Sequence, residues 1–140
     1  PRMVSSTVDM GAYEFQAPGS VISYACLIRY GPPTDGSAEA TDPDADGLNT
    51  WQEWRCRTDP TNSLSVLRLL SATRARTNVT VTWQSVAGVS YFLEQSTNLS
   101  QTTRFTPLAT GIPGPPGTTT FVDTNAVGHG PFFYRVGVRD

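Results

Sequence analysis

Lysine is absent from this chain, and all ten of its cationic residues are arginines. This absence excludes Schiff-base chemistry and the phosphate-binding lysine of a P-loop, because both need the lysine amine. The net charge of -2 and the pI of about 5.3 indicate no basic surface, so we expect no nucleic-acid partner. The sequence also contains no apolar run that approaches the length of a membrane-spanning helix.

Signatures of catalysis are equally scarce. The single histidine, His129, lies between two glycines, and no G-x-S-x-G motif accompanies it. Glu94 and Asp123 could act as a glycosidase pair only if the fold brought them together. Isolated carboxylates on strands are usually solvated, so we predict that the protein is not an enzyme.

The chain has only two cysteines, Cys26 and Cys56, and their spacing is not that of a zinc site. They flank an acidic stretch, which favours a disulfide and an oxidising compartment. Closing a loop of about thirty residues would stabilise the fold by roughly 3–4 kcal/mol. The alternative is a pair of buried free thiols. We predict the disulfide.

The acidic stretch, residues 42–53, matches the calcium-loop pattern D-x-[DN]-x-[DN]-G-x5-E at every specified position. Ca2+ takes roughly 6–8 oxygen ligands, and this pattern supplies carboxylates, a main-chain carbonyl and a closing bidentate glutamate around a glycine turn. The alternative is a solvated turn that caps a helix. We predict Ca2+ as the cofactor. Asp35 and Asp59 are candidates for residues that lie around the ion without binding it directly. The predicted ligands are Asp42, Asp44, Asp46, Leu48, Thr50 and Glu53.

Turn-forming proline and glycine residues, together with changes in hydrophobic periodicity, divide the chain into three segments. Residues 1–17 alternate loosely and predict one extended strand that lacks partners within the segment. Residues 18–63 predict a small module that contains a helix over 20–30, the calcium loop and an exit helix over 48–57. We expect Leu48, Trp51 and Trp54 on the buried side of the exit helix. Residues 64–140 form the third segment.

From residue 65 onward the apolar residues recur every second position. In one stretch Val79, Val81 and Trp83 point one way, and their neighbours point the other way. Short strands separated by turn signals predict a mainly β fold, an antiparallel sandwich. The predicted strands cover 65–72, 77–85, 89–96, 104–110, 118–123 and 132–139.

Three resemblances extend these predictions. Residues 41–54 (TDPDADGLNTWQEW) with 58–62 (TDPTN) resemble the thrombospondin type 3-like calcium repeats of large secreted bacterial proteins, with half an EF-hand and no entering helix. Residues 65–140, through VTVTW at 79–83 and FYRVGV at 133–138, resemble an Ig/fibronectin type III-like sandwich. Residues 8–15 (VDMGAYEF) are similar to the last rung of right-handed β-helix domains. These resemblances imply an extracellular or cell-surface bacterial protein. Because the sequence begins at Pro1 without an initiator methionine, we also expect a processed or excised piece.

A sandwich of this family needs one more strand after residues 132–139, and a bare strand edge is normally covered. Residues 4–15 could supply that strand within the chain or to a neighbouring copy, which would give a homo-oligomer or a filament. The alternatives are an edge capped by a loop, or an N-terminal segment that packs on the calcium module. We predict a non-catalytic, calcium-binding structural module.

The rival function is a carbohydrate-binding or anchoring accessory module of a secreted protein. It requires exposed aromatic side chains that form a platform for glycans or a cell surface. The predicted members of that platform are Trp83, Tyr91 and Phe92.

Overall fold

The computed structural model describes residues 2–4, 7–9, 20–100 and 105–139. The chain divides into two compact units, the loop unit (Pro1–Val66) and the sheet unit (Leu67–Asp140). The described part of the loop unit contains two short strands and two short helices. These are β1 (Arg2–Val4), β2 (Thr7–Asp9), α1 (Tyr24–Tyr30) and α2 (Thr50–Cys56). The sheet unit contains β3 (Leu69–Ala75), β4 (Asn78–Ser85), β5 (Ser90–Ser96), β6 (Thr106–Pro113), β7 (Gly117–Asp123) and β8 (Phe133–Val138).

The N-terminal strands differ from the prediction. β1 and β2 pair antiparallel with each other, with Met3 opposite Val8. Each strand therefore takes backbone hydrogen bonds from the other. The expectation of one extended strand without partners is wrong for residues 2–4 and 7–9, and the rest of the 1–17 segment lies outside the described residues.

Helix α1 begins later than the sequence predicted. Ser23, and not Ser20, is its N-cap, and the Ser23 side chain accepts a hydrogen bond from the Cys26 N–H at 3.3 Å. The helix ends at Gly31, whose φ of 82° is a left-handed conformation that glycine adopts without a steric cost. Each described helix has seven residues, too few to cross a membrane.

The sheet unit consists of two three-stranded antiparallel sheets. Their strand orders are β3-β4-β7 and β6-β5-β8. Along β4 the residues alternate strictly between half-buried and buried, with Val79, Val81 and Trp83 on the buried side. The prediction of a mainly β, antiparallel fold is confirmed by the two sheets, and β4 shows the expected pattern of one buried face and one partly exposed face.

One hydrophobic cluster joins the two sheets. Trp83 from β4 and Tyr91 from β5 meet edge to face, with ring centroids 6.0 Å apart. Their exposed fractions are 0% and 2%. A glycan platform of Trp83, Tyr91 and Phe92 is therefore wrong, because two of its three rings lie in the core. Phe92 is half-buried, with the Arg139 guanidinium 4.8 Å from its ring centroid.

The two buried carboxylates of the sheet unit have partners. Asp123 accepts hydrogen bonds from Gln95 Nε2 at 2.6 Å, from the Tyr134 hydroxyl at 2.9 Å and from the Asn125 N–H at 2.9 Å. Glu94 accepts from the guanidinium groups of Arg135 and Arg139.

Glu94 and Gln95 are consecutive on β5, so their side chains leave opposite faces of the sheet. Asp123 bonds to Gln95, and Glu94 therefore projects from the face opposite that contact. Glu94 and Asp123 therefore do not face each other across one site. The hypothesis that they form a glycosidase pair is wrong.

Candidate metal centre

The three aspartates of the predicted calcium loop lie together. Asp42, Asp44 and Asp46 each place one carboxylate oxygen within 4.8 Å of the other two. Three carboxylates at this separation repel one another unless a cation neutralises them. Among the described residues, these three aspartates form the cluster that could hold a metal ion.

The loop reaches this shape by donating its own backbone N–H groups to the aspartates. Gly47 N donates to Asp42 Oδ2 at 3.0 Å, and Leu48 N donates to Asp46 Oδ1 at 2.8 Å. The chain turns sharply at two left-handed positions, Ala45 with φ 61° and Gly47 with φ 99°. Only glycine adopts the second conformation without strain, which explains the glycine of the motif.

Helix α2 follows the loop and positions Glu53. Its N-cap, Asn49, accepts a hydrogen bond from Gln52 N, and the Gln52 side chain accepts one from Asn49 N, so the two residues form a capping box. The helix turns Thr50, Glu53 and Cys56 inward. The exposed fraction of Glu53 is 0%.

Within the part of the chain that the structure describes, no donor bonds to either carboxylate oxygen of Glu53, to Oδ2 of Asp44 or to Oδ2 of Asp46, although all four atoms are buried. A buried polar group without a partner costs about 1–3 kcal/mol, and a charged group costs more. Four such oxygens on three neighbouring acidic residues form a donor set that fits a hard cation.

Burial and mutual repulsion raise the proton affinity of these groups. The pKa of Glu53 rises from 4.5 to about 7, chiefly because burial disfavours its charged form, and then because Asp44 and Asp46 are negative. The pKa of Asp44 also rises, through burial and the charge of Asp46. Without a cation, the Glu53 carboxyl therefore holds its proton close to neutral pH.

Not every predicted ligand joins the cluster. Glu53 lies outside the group of oxygens that meet within 4.8 Å. The Thr50 hydroxyl donates to the Thr41 carbonyl at 3.1 Å, and Thr50 N donates to the same oxygen at 2.8 Å. Thr50 therefore ties the end of the loop to its beginning. The role of the Leu48 carbonyl stays a prediction.

Asp35 and Asp59, the two further aspartates considered for the surroundings of the metal, form hydrogen bonds with residues of their own turns. Asp35 accepts from Ser37 N and Ser37 Oγ at 2.9 and 2.6 Å. Asp59 accepts from Thr61 N and Thr61 Oγ1 at 3.0 and 2.7 Å. Both carboxylates therefore stabilise local turns.

The sequence analysis did not identify Glu39, which precedes the acidic loop and connects it to other segments of the unit. Glu39 accepts from Trp51 N through its carbonyl at 3.1 Å and from Val21 N through Oε1 at 2.6 Å. No periodicity or motif marks this residue, because its contacts join segments distant in sequence. The expected apolar face of α2 is also wrong, since Trp51 is 41% exposed and Leu48 and Trp54 are only half-buried.

Cys26 and Cys56 are free thiols in this structure, so the predicted disulfide is not formed here. Burial raises the pKa of the Cys56 thiol to about 11, and the Glu53 carboxylate adds to this effect. Burial also raises the pKa of Cys26, partly offset by Arg29. Both side chains are therefore neutral and weakly nucleophilic at neutral pH.

Comparison with protein-family models, with curated proteins and with solved structures finds no match to this chain.

Proposed function

We propose that this protein is a non-catalytic structural module whose loop unit folds around a calcium ion. The observation that carries the proposal is the carboxylate of Glu53, which is fully buried beside Asp44 and Asp46 and has no hydrogen bond from any described residue to either oxygen. A cation at this place would neutralise the aspartates and supply the missing partner of Glu53. Calcium then acts as a folding ligand, because its binding free energy adds to that of folding.

The chemistry of the donor set favours calcium among the common cations. Every candidate ligand atom is an oxygen, and most belong to carboxylates. Zn2+ prefers nitrogen and sulfur, whereas Ca2+ accepts many oxygens in a flexible geometry. Mg2+ demands a near-ideal octahedron and keeps several waters. A loop that offers several carboxylates to one point therefore suits Ca2+ best.

The proposal includes a fold for each unit, namely an Ig/fibronectin type III-like sandwich and a thrombospondin type 3-like calcium repeat. Strand orders of β3-β4-β7 and β6-β5-β8 support an Ig/fibronectin type III-like sandwich without its last strand. The loop followed directly by α2, after turns instead of an entering helix, supports a half EF-hand of the thrombospondin type 3-like kind. An extracellular or cell-surface location fits a site that needs abundant calcium.

Metal analysis and thermal unfolding test calcium binding. We expect bound calcium in purified protein, and we expect the loop unit to gain about 2.7 kcal/mol when free Ca2+ is 100 times Kd. Glu53→Gln keeps the shape of the side chain and removes its charge, so it should weaken binding at least tenfold in calorimetric titration. It should also stabilise the calcium-free protein, because it removes an unpaired buried charge.

Asp35→Asn is the matched control, because Asp35 lies in the same unit but outside the aspartate cluster. Its calcium affinity should equal that of the unaltered chain. The proposal is wrong if purified protein carries no metal and its melting temperature is the same with EDTA as with calcium.

A second candidate function is assembly by strand addition. β8 pairs with β5 on one side, and the described residues place no strand on its other side. Its inward side chains Tyr134, Val136 and Val138 stay half-buried, whereas Tyr91 and Leu93 on β5 are buried. An added strand would pair the free edge and cover these side chains. The proposed donor is the N-terminal segment, residues 4–15, of a second copy, which would become extended on pairing.

Deleting residues 1–17 tests the assembly. Because β2 pairs with β1 in this structure, a donor must first leave that pairing, and we expect slow assembly that depends on concentration. Light scattering should report large particles for the full chain and monomers for the deletion. A deletion that assembles as the full chain does would rule out this donor.

A further inference from the structure

A cleft lies between the two helices of the loop unit, and none of the predicted metal ligands lines it. Its volume is about 370 Å³. This volume falls within the range of small-molecule sites, roughly 300–1,000 Å³. The cleft is lined by Ser23, Ala25, Cys26, Arg29, Tyr30, Trp54, Arg57 and Thr58.

Two guanidinium groups give the cleft its charge. Arg29 and Arg57 are both exposed, and neither forms an ion pair with another described residue. Arg57 sits at the C-cap of α2 with φ 58°, and its N–H donates to the Glu53 and Trp54 carbonyls. Its backbone is therefore fixed while its side chain stays available to a ligand.

Ring and hydroxyl groups complete the lining. Tyr30 and Trp54 are half-buried, and the Arg29 guanidinium lies 5.3 Å from the Tyr30 ring centroid. Ser23 uses its oxygen to accept the Cys26 N–H, which leaves the hydroxyl proton for another acceptor. The cleft thus offers two cations and a donor beside two aromatic surfaces.

We propose that this cleft binds a carboxylate attached to a ring. A guanidinium donates two parallel N–H groups to the two oxygens of a carboxylate. A ligand that carries a hydroxyl or an amine in place of the carboxylate cannot accept both of these hydrogen bonds. Tyr30 and Trp54 then contact the body of the ligand, whose ring needs a flat, largely apolar surface. Two classes of ligand have a carboxylate attached to a ring, the acidic sugars and the aromatic acids, and both fit the proposal.

Neighbouring acidic groups limit the charge of the ligand. Asp59 and Glu53 both act electrostatically on Tyr30 in the cleft. Because the proposed calcium ion would neutralise Glu53, the two guanidiniums and the Asp59 carboxylate leave one positive charge in excess, which accommodates one negative charge better than several. A monocarboxylate therefore fits the cleft, and a polyphosphate does not.

Titration followed by NMR tests the proposal on the full chain in calcium-containing buffer. The acidic probes are glucuronate and benzoate, and their uncharged counterparts are glucose and benzyl alcohol. We expect at least one acid to shift the Trp54 indole N–H signal and to bind at least tenfold more tightly than its counterpart. The acid that binds more tightly identifies the source of the ring. Arg29→Gln and Arg57→Gln should each weaken that binding roughly tenfold or more.

Arg76→Gln is the matched control, because Arg76 is exposed and, like Arg57, has a left-handed φ, of 59°. It should leave the affinity unchanged. Unaltered signals of Trp51 and Trp83 would show that each variant folds. The proposal is overturned if neither acid shifts the Trp54 signal, if the uncharged counterparts bind equally well, or if the two arginine variants keep full affinity. Metal content measured on the same samples separates that result from a failure of the calcium proposal.

Discussion

Buried carboxylates in the two units of the chain have opposite surroundings. In the sheet unit Asp123 and Glu94 are 2% and 5% exposed, and each accepts hydrogen bonds from two or more residues. In the loop unit Glu53 is equally buried, and neither of its oxygens has a donor among the described residues. The difference separates a charge whose hydrogen-bond partners are visible in the fold from a charge for which the described part of the chain supplies none.

The apolar cores of the two units also differ, because the sheet unit buries larger side chains than the described part of the loop unit does. The sheet unit buries Trp83, Tyr91 and Leu93 in one cluster that both sheets share. The described part of the loop unit buries smaller side chains, and its helices have seven residues each. Helices this short gain little stability by themselves. We infer that hydrophobic burial stabilises the sheet unit, whereas a bound cation would supply much of the stability of the loop unit. The buried apolar residues of the loop unit are Ile22, Leu27, Ala38, Cys56 and Val66.

Trp83→Ala should have the largest effect and should fall on the sheet unit. Removing a buried tryptophan costs about 3–5 kcal/mol, because the cavity left behind collapses only partly. Denaturant unfolding followed by near-UV circular dichroism measures the loss. Calcium affinity should persist in native conditions, and a simultaneous loss of calcium binding would break the distinction between the units.

The pH dependence of the calcium-free protein should show the unpaired charge. Glu53 has a folded pKa of about 7 against an ordinary value of 4.5, so folding favours its protonated form. The stability that this proton provides is present below pH 4.5 and is lost as pH rises through 7, a loss of roughly 3 kcal/mol. Urea unfolding of the loop unit between pH 4 and 8 in EDTA measures it.

Glu53→Gln should remove most of this pH dependence, and saturating Ca2+ should suppress it, since the ion favours the ionised carboxylate. A calcium-free loop unit whose stability is constant or increases between pH 4.5 and 7 would contradict the burial of an unpaired Glu53.

Tyr134→Phe should have a smaller effect, confined to the sheet unit. The change removes the hydroxyl that donates to Asp123 Oδ2 at 2.9 Å and keeps the ring. Hydrogen bonds to charged groups contribute about 1.5–3 kcal/mol, and Gln95 and Asn125 still hold Asp123, so we expect the lower end. A value near zero in chemical denaturation would show that Asp123 is satisfied without this bond.

Gly47→Ala should have the smallest effect on folding. A Cβ at this position meets no atom within 4 Å, so the cost comes from the φ of 99° alone. We expect about 1–2 kcal/mol and weaker calcium binding. Gly31→Ala, at φ 82° and also without a contact within 4 Å, is the control, since it should cost similar stability without changing calcium affinity. Equal calcium affinity in both variants would mean that the turn at Gly47 does not shape the site.

The β fold was predictable because its periodicity is local. Alternation along Val79, Val81 and Trp83 identifies a strand with one buried face, and the structure places β4 there. The ends of the strands were not predictable from local sequence in the same way. β6 extends to Pro113, three residues beyond the prediction, since pairing with β5 and not local turn chemistry decides where it ends.

The candidate site was predictable in part. Spacing alone placed Asp42, Asp44 and Asp46 together, because alternate residues of a tight loop converge. It did not predict that Thr50 would bond to Thr41 or that Glu39 would hold the loop, because these contacts join residues through the fold. Nor does the spacing of Cys26 and Cys56 decide whether they bond, since a disulfide depends on Cβ geometry.

By itself the sequence determined the β periodicity, the left-handed glycine of the loop and the charge gathered within twelve residues, since all three follow from local sterics and spacing. Tertiary structure alone decided which charges have partners. It placed Gln95 and Tyr134 against Asp123, two arginines against Glu94, and no donor from the described residues against Glu53. The physical reason is that the partners of a buried charge come from strands and loops distant in sequence, and only packing brings them within hydrogen-bonding distance.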